Sequence, residues 1–310
     1  MVNVTHFTFP SANGHSQLHA MEWADSSREP IAVLQITHGV AEYIQRYDGF
    51  AQYLAEKGFI VTGHDHLGHG RSVGADDCSV YFCDENGWET VVNDVRSLQQ
   101  LTKTKYPHLP YFLLGHSMGS FVTRTFLIRY AGAVDGAIVM GSGWQPTLKL
   151  AGGRTIAKLA AKRYGRRAAS RFINVLAFGG YNKAFAPNKT DFDWIAADPD
   201  TVKAYAMDPL CGQCVTIGLF QDMLGGIHFN QQMENLRKMD VNTPILFISG
   251  QDDPVGDMGK GVACSRDAFT AAGVKDTSLL LYPGLRHEIL NEASREQVYG
   301  DILRWLEKYV

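Results

Sequence analysis

The chain has 310 residues, 45% of them hydrophobic, which suits one large α/β domain or a core domain carrying an insertion. Its net charge of −3 supplies no global positive field for nucleic acid. No apolar run exceeds strand length, and Met1–Pro10 lacks the form of a secretory leader, so the expectation is a soluble, cytoplasmic protein with no nucleic-acid partner.

In chain order, Thr5–Phe9 and Leu18–Trp23 are rich in β-formers and flank Asn13-Gly14, a hairpin turn signal. Short apolar runs then follow at Ile31–Ile36, Phe59–Thr62, Tyr111–Leu114, Val134–Met140, Pro244–Ser249 and Ser278–Tyr282. Between them lie helix-period segments at Tyr47–Lys57, Thr90–Lys105, Phe121–Tyr130, Met258–Ala272 and Ser294–Lys308. Buried strands alternating with amphipathic helices predict eight strands, an antiparallel hairpin first and then a mostly parallel sheet with helices on both faces.

The interval from Met140 to Pro244 is far too long for a single crossover. It predicts an inserted helical subdomain at 142–235, dividing a core made of 1–141 and 236–310. No acidic residue stands between Asp135 and Asp191, whereas Lys149, Arg154, Lys158, Lys162, Arg163, Arg166, Arg167 and Arg171 all do. Arg154, Lys158 and Lys162 share a helix face, with Ile156 and Leu159 turned away. Such a face can simply be solvated. It can also make transient contact with an anionic lipid surface or a phosphate-bearing substrate.

The cysteines, Cys78, Cys83, Cys211, Cys214 and Cys264, are odd in number and read as free thiols. Cys211 and Cys214 have C-x-x-C spacing but no strand-to-helix context and no second ligand pair, so a loop with two thiols is expected. Residues 63–74, GHDHLGHGRSVG, crowd His64, His66 and His69 around Asp65. This nearly matches the H-x-H-x-D-H run of metallo-β-lactamase-like hydrolases, but Gly68 stands where that run needs Asp. The glycines favour a tight loop, and no metal is expected.

Two stretches match G-x-S-x-G: Gly70–Gly74 around Ser72, and Gly115–Gly119 around Ser117. The pattern alone is weak, arising by chance in roughly one such glycine-rich chain in seven. A nucleophile elbow needs a buried strand directly before the serine and a helix directly after it. Ser117 has both. Ser72 lies past its strand inside a glycine-rich loop, with Ala75-Asp76-Asp77 next. A serine nucleophile needs a base and the base an orienting carboxylate, each in a later loop at the end of a strand. Asp252-Asp253 follows Ile245–Ser249, and His287 follows Leu279–Tyr282, in the order acid then histidine.

Five motifs in one order now carry a resemblance over nearly the full length. They are His38-Gly39-Val40-Ala41-Glu42-Tyr43 with Arg46-Tyr47, Asp65–Ser72, Gly115–Gly119, Gly250–Val255 and Arg286-His287-Glu288. The chain resembles α/β-hydrolases of the monoacylglycerol lipase and lysophospholipase group, also catalogued with serine aminopeptidases. The resemblance implies an α/β-hydrolase fold with a helical cap, Ser117 as nucleophile, His287 as base and Asp253 as orienting acid. Asp253 is chosen over Asp252 because the family's carboxylate immediately precedes the Pro-Val step. It also implies an oxyanion hole from the backbone amides of Val40 and Met118, no cofactor, and a small-molecule acyl-ester substrate cleaved through an acyl-enzyme. Glu42 and Arg46, four residues apart, can pair to hold the oxyanion loop, and His116 reads as structural.

Under the cap, Trp144, Phe172, Leu176, Phe178, Phe185, Trp194 and Tyr205 are candidates to line an acyl pocket, two or three of them touching substrate. Two other functions stay open. A serine aminopeptidase or amidase would need Asp191, Asp193, Asp198 or Asp200 to receive the substrate ammonium. A non-catalytic binder on the same fold would leave Ser117 unreactive.

Overall fold

The computed structural model describes residues 1–74 and 77–310, so Ala75 and Asp76 lie outside the described residues. Strands β1 (Val2–Pro10) and β2 (Gln17–Asp25) form the leading hairpin, closed by a Ser11–Ser16 loop in which Gly14 has φ +84°. Then come β3 (Ala32–Thr37), α1 (Asp48–Ala55), β4 (Phe59–His64), α2 (Gly87–Lys105), β5 (Tyr111–His116), α3 (Met118–Arg129) and β6 (Gly136–Met140). Between β6 and β7 the chain forms α4 (Thr147–Tyr164), α5 (Arg171–Phe178), α6 (Pro199–Met207), α7 (Ile217–Asn230) and the short α8 (Met233–Leu236). It closes with β7 (Ile245–Gly250), α9 (Lys260–Ala271), β8 (Thr277–Tyr282) and α10 (Arg295–Leu306).

The eight strands make one sheet in the order β1-β2-β4-β3-β5-β6-β7-β8. The β1–β2 and β2–β4 pairs are antiparallel and every later pair is parallel. The apolar runs of β3 to β7 form strands covered on both faces, whereas β8, at the sheet's edge, is only partly covered. Val33, Leu113, Val139 and Phe247 point to the side packed by α2, α3 and α9. Leu34, Ile36, Phe112, Leu114, Ile138 and Leu246 point to the side packed by α1 and α10. Each such fully buried aliphatic side chain contributes about 1.5–3 kcal/mol relative to exposure, so the two layers fix the sheet's register.

The segment between β6 and β7 joins this core through α7. That helix packs against α3 and α4, and Gly226 lies so close to the Trp88 indole that a Cβ there would sit 2.0 Å from the ring. Asn230 completes the contact, donating to the Phe121 carbonyl at 2.8 Å and accepting from Thr125 Oγ1 at 2.8 Å. Helix α4 buries only Leu150 and Ala157. Leu148, Ile156 and Leu159 are exposed, and Leu148 and Ile156 border the cavity described below. Among the described residues, no helix is long and apolar enough to cross a membrane.

Element ends differ from the periodicity where local geometry overrides it. The run over 47–57 divides into a tight turn, Ile44–Tyr47, followed by α1. Helix α9 begins only at Lys260, because Asp257 and Met258 take φ values of +50° and +53° that a helix cannot contain.

Candidate active site

Strand β5 runs directly into Ser117, which adopts φ +53° and ψ −120°, and α3 begins at the next residue. This is a strained conformation for an L-residue, held because the surrounding backbone is over-determined. A Cβ on Gly115 would lie 2.3 Å from the Gly119 carbonyl, and one on Gly119 would lie 2.1 Å from the Thr37 carbonyl. The two glycines of the motif thus let β3, β5 and α3 meet at a spacing that no side chain permits.

Asp253 and His287 arrive from the ends of β7 and β8. His287 Nδ1 lies 2.9 Å from Asp253 Oδ2, so Nδ1–H donates to the carboxylate, which keeps the proton on Nδ1 and leaves Nε2 as the free acceptor. Asp253 is fully buried and is oriented further by Ser249 Oγ at 3.1 Å and the Val255 amide at 2.9 Å. Its neighbour Asp252 is only half-buried, and among the described residues its carboxylate has no hydrogen bond. Ser117 and His287 line the same cavity, without a hydrogen bond between them among the described residues. Contacts of this kind tighten when substrate arrives.

The loop after β3 lies over the serine: a Cβ on Gly39 would come within 3.0 Å of Ser117 Cβ. Among the described residues, no acceptor takes the backbone N–H of Val40 or of Met118. Met118 is the first residue of α3, where an amide has no intrahelical partner and the helix dipole favours negative charge. Glu42 holds the loop by accepting the Gly39 N–H at 2.5 Å, the Tyr47 hydroxyl at 2.9 Å and Arg46 Nη1 at 2.8 Å. Arg46 also forks onto Glu288, with both contacts at 2.6 Å. Burial alone would push the Glu42 carboxyl up, but His116 and Arg46 hold it well below the ordinary carboxylate range. Burial likewise opposes charge on Arg46, yet Glu288 and Glu42 keep it a firm cation.

The same loop is pinned from the β6–β7 segment. The Ala41 carbonyl accepts the Gly212 amide at 3.0 Å and the Tyr205 hydroxyl at 3.2 Å, and Arg46 stacks 4.8 Å from the Tyr205 ring centre. Gly212 is the second residue of the C-x-x-C stretch. Cys211 is buried there, burial pushes its thiol up, and all five cysteines are free. The His287 loop is tied to the same segment, since the Glu288 amide donates to Ile195 and Glu292 accepts from Ala197 and Asp198.

A cavity of about 590 Å³ opens above Ser117. Of the side chains proposed from sequence, Leu176, Phe178, Trp194 and Tyr205 line it. Phe172 points to solvent, Phe185 stacks on Arg286, and Trp144 lies beside Arg124. Phe121, Tyr181, Phe192, Phe220 and Met223 line it as well, and the sequence carried no signal that separated them from ordinary core. Of the four acidic candidates only Asp191 borders the cavity. Asp193 is taken up by Lys189 and Thr190, and Asp198 caps α6.

The 63–74 stretch does not line the cavity but braces the loop after β3, its His66 amide donating to His38 Nε2 at 2.9 Å. Strand β4 runs through His64, and the loop begins at Asp65. Asp65 accepts the Ile44 and Arg71 amides at 2.8 Å each and the His19 ring at 2.9 Å. Ser72 Oγ donates to the Asp65 carbonyl at 2.7 Å and accepts the His19 amide at 2.9 Å. Among the described residues no group of three or more His, Cys, Asp or Glu is arranged to hold a metal ion.

The strand order, the sharp turn at Ser117 and the site at the ends of β5, β7 and β8 define an α/β-hydrolase. The chain belongs to the family described as serine aminopeptidase, S33, which it matches over residues 28–294. A monoacylglycerol lipase of Mycolicibacterium smegmatis is 29% identical over 283 residues, 91% of this chain and 90% of the relative. A thermostable carboxyl esterase from Bacillus coagulans, solved in complex with glycerol, superposes with a TM-score of 0.92 at 27% identity, covering 99% of this chain and 98% of the esterase. A lipase solved in its open form gives 0.90 at 27% identity over 99% of both chains. The protein is thus an enzyme of the α/β-hydrolase class, similar throughout its length to lipases and esterases.

Proposed function

We propose that the protein is a serine carboxylic-ester hydrolase that cleaves a lipid-like acyl ester, such as a monoacylglycerol or lysophospholipid, through an acyl-enzyme. The observation that carries this reading is the Asp253–His287 hydrogen bond facing Ser117 across a largely apolar cavity. Ser117 Oγ attacks the ester carbonyl while His287 Nε2 takes its proton, and the Val40 and Met118 amides receive the developing oxyanion. His287 then protonates the departing alcohol, and water, activated by the same imidazole, releases the acid. Residues 142–235 act as the cap, with the acyl chain held among Phe178, Phe220 and Met223. The relatives named as monoacylglycerol lipase and carboxyl esterase support this substrate class.

Hydrolysis of glycerol esters, lysophospholipids, short aryl esters and aminoacyl amides, run beside Ser117→Ala, tests the reading. Activity confined to the amides would replace it with the amidase alternative. That alternative is weakened by the local roles of Asp193 and Asp198 and by Arg46, which pairs with both Glu42 and Glu288 at the cavity wall.

The cytoplasmic enzyme meets its substrate by transient contact of the cap with anionic lipid. Lys149, Arg154, Lys158, Lys162, Arg163 and Arg171 have no ion pair among the described residues, whereas Arg166 and Arg167 are paired with Asp222 and Asp84. Leu148, Leu159, Phe172, Val175 and Leu176 are exposed on the same two helices. Co-sedimentation with phosphatidylglycerol vesicles but not with phosphatidylcholine vesicles, lost in Lys158→Glu/Lys162→Glu, is the expected result. Equal binding to both vesicles removes the contact from the reading.

A further inference from the structure

His116, the last residue of β5, is buried immediately before Ser117, and its two ring nitrogens face two different loops of the site. Nε2 lies 3.3 Å from the backbone carbonyl of His287. A carbonyl can only accept, so that nitrogen carries a proton. Nδ1 lies 3.1 Å from Glu42 Oε1 and 2.9 Å from the Tyr47 hydroxyl. Tyr47 has one proton and also lies 2.9 Å from Glu42 Oε1. When that proton goes to Glu42, Nδ1 faces only acceptors and the ring holds both protons. The His116 ring also packs against the His287 ring, with centroids 4.7 Å apart.

We propose that His116 is a positioning residue, a buried imidazolium that joins the oxyanion loop, through Glu42, to the backbone of the general base. The proposal rests on the ester-hydrolase reading of Ser117 and His287. Glu42 holds Gly39, whose neighbour Val40 presents an oxyanion amide, while His287 carries the base. One imidazolium therefore sets the spacing between the group that receives charge and the group that moves the proton. The titratable and charged groups around it come from three loops: Glu42, Tyr47 and Arg46 after β3, Asp253 after β7, and His287 with Glu288 after β8. Burial opposes a charge on His116, but its hydrogen bond to Glu42 and the charges of Glu42, Glu288 and Asp253 raise it above the ordinary histidine value.

His116 and Arg46 thus balance Glu42 and Glu288, and the balance predicts a pH signature. With Gln at 116 the set is left one negative charge in excess beside His287, which favours protonating the base. In His116→Gln the acid limb of kcat/KM on a soluble short-chain ester moves to higher pH by about one unit. Its kcat falls about tenfold, with KM changing less than twofold. In His116→Gln/Glu42→Gln the charge is balanced again, and the limb returns toward the wild-type position whatever the residual rate. A purely structural role would lower the rate and leave the limb in place in both variants, and that result overturns the proposal. Should the variants fail to fold, 15N-histidine spectra of the wild-type protein decide: at pH 8 one buried ring with both nitrogens protonated is expected, and a neutral His116 overturns the proposal. The underlying reading fails separately, if Ser117→Ala keeps its esterase activity.

Discussion

Gly70–Gly74 and Gly115–Gly119 share one five-residue pattern, but the first trails β4 through a loop and the second continues β5 without a break. Ser72 sits in a tight turn, buried, with its hydroxyl consumed by Asp65 and His19. Ser117 holds a positive φ between strand and helix, and it borders the cavity. The same residues serve as a brace in one place and as a candidate nucleophile in the other. The difference lies in what surrounds the serine: the Ser72 hydroxyl has already committed its single proton to a buried carbonyl, and one raised on an elbow is free to give its proton to a base.

The comparison can be broken most directly by exchanging each serine. Ser117→Ala is expected to lose ester hydrolysis by about 10⁴-fold or more and to stop reacting with a fluorophosphonate probe. Ser72→Ala should keep both per folded molecule, and labelling that follows Ser72 instead would reverse the assignment. Next in size, Asp253→Asn should lower kcat by about 10³–10⁴-fold through loss of the Nδ1-protonated tautomer. Asp252→Asn should change it by no more than about threefold, as expected of a group outside the hydrogen-bonded pair; comparable losses would undo the distinction.

The fifth glycines of the two motifs supply a stability contrast. A Cβ on Gly119 meets the Thr37 carbonyl, backbone that cannot move aside, whereas on Gly74 it meets the carboxylate end of Asp77 at 2.7 Å. Gly119→Ala should cost about 3 kcal/mol or more in denaturant unfolding, and Gly74→Ala less than about 1 kcal/mol. Ser72→Ala falls between them at about 1–3 kcal/mol, because it leaves the buried His19 amide without its acceptor.

The smallest expected effect is a pH slope that belongs to the first region. His64, His66 and His69 are buried there with His38 of the loop after β3 packed against them, and burial lowers all four, His38 to about 3. A histidine held neutral in the folded state binds fewer protons than the unfolded chain, so stability is lost as pH falls below 6.5 toward those depressed values. Asp94 acts in the opposite sense: burial raises it to about 7, so its contribution is lost as pH rises from 3.8 to 7. Urea unfolding across pH 7 to 5 should show stability falling with acidity, more steeply in Asp94→Asn and less steeply in His64→Gln. A flat profile would mean that these rings are solvated.

Much of this architecture was legible in the chain. Strands β3 to β7 appear as apolar runs because they are buried on both faces, and Ser117 separates from Ser72 because an elbow requires a strand before it and a helix after it. Boundaries were less legible. Helix α3 starts at Met118, three residues before its apolar period begins, because the elbow's geometry sets the first turn. Strand β4 extends to His64, whose ring is buried without a hydrogen bond among the described residues, a cost that local pattern does not reveal.

By itself, the sequence determined the sheet with its helical layers and the long interval between β6 and β7, since these follow from local period and spacing. The candidates Ser117, Asp253 and His287 rest on motif context and, for Asp253, on the family resemblance. Tertiary structure alone decided which aromatic residues face the cavity, that Leu159 meets solvent, and that Arg46, already paired with Glu42, also pairs with Glu288, 242 residues further along the chain. Likewise it placed His116 between Glu42 and the backbone of His287. The reason is physical: an apolar period reports burial against some neighbour, but which neighbour, and which polar group finds its partner there, depends on the packing of segments far apart in the chain.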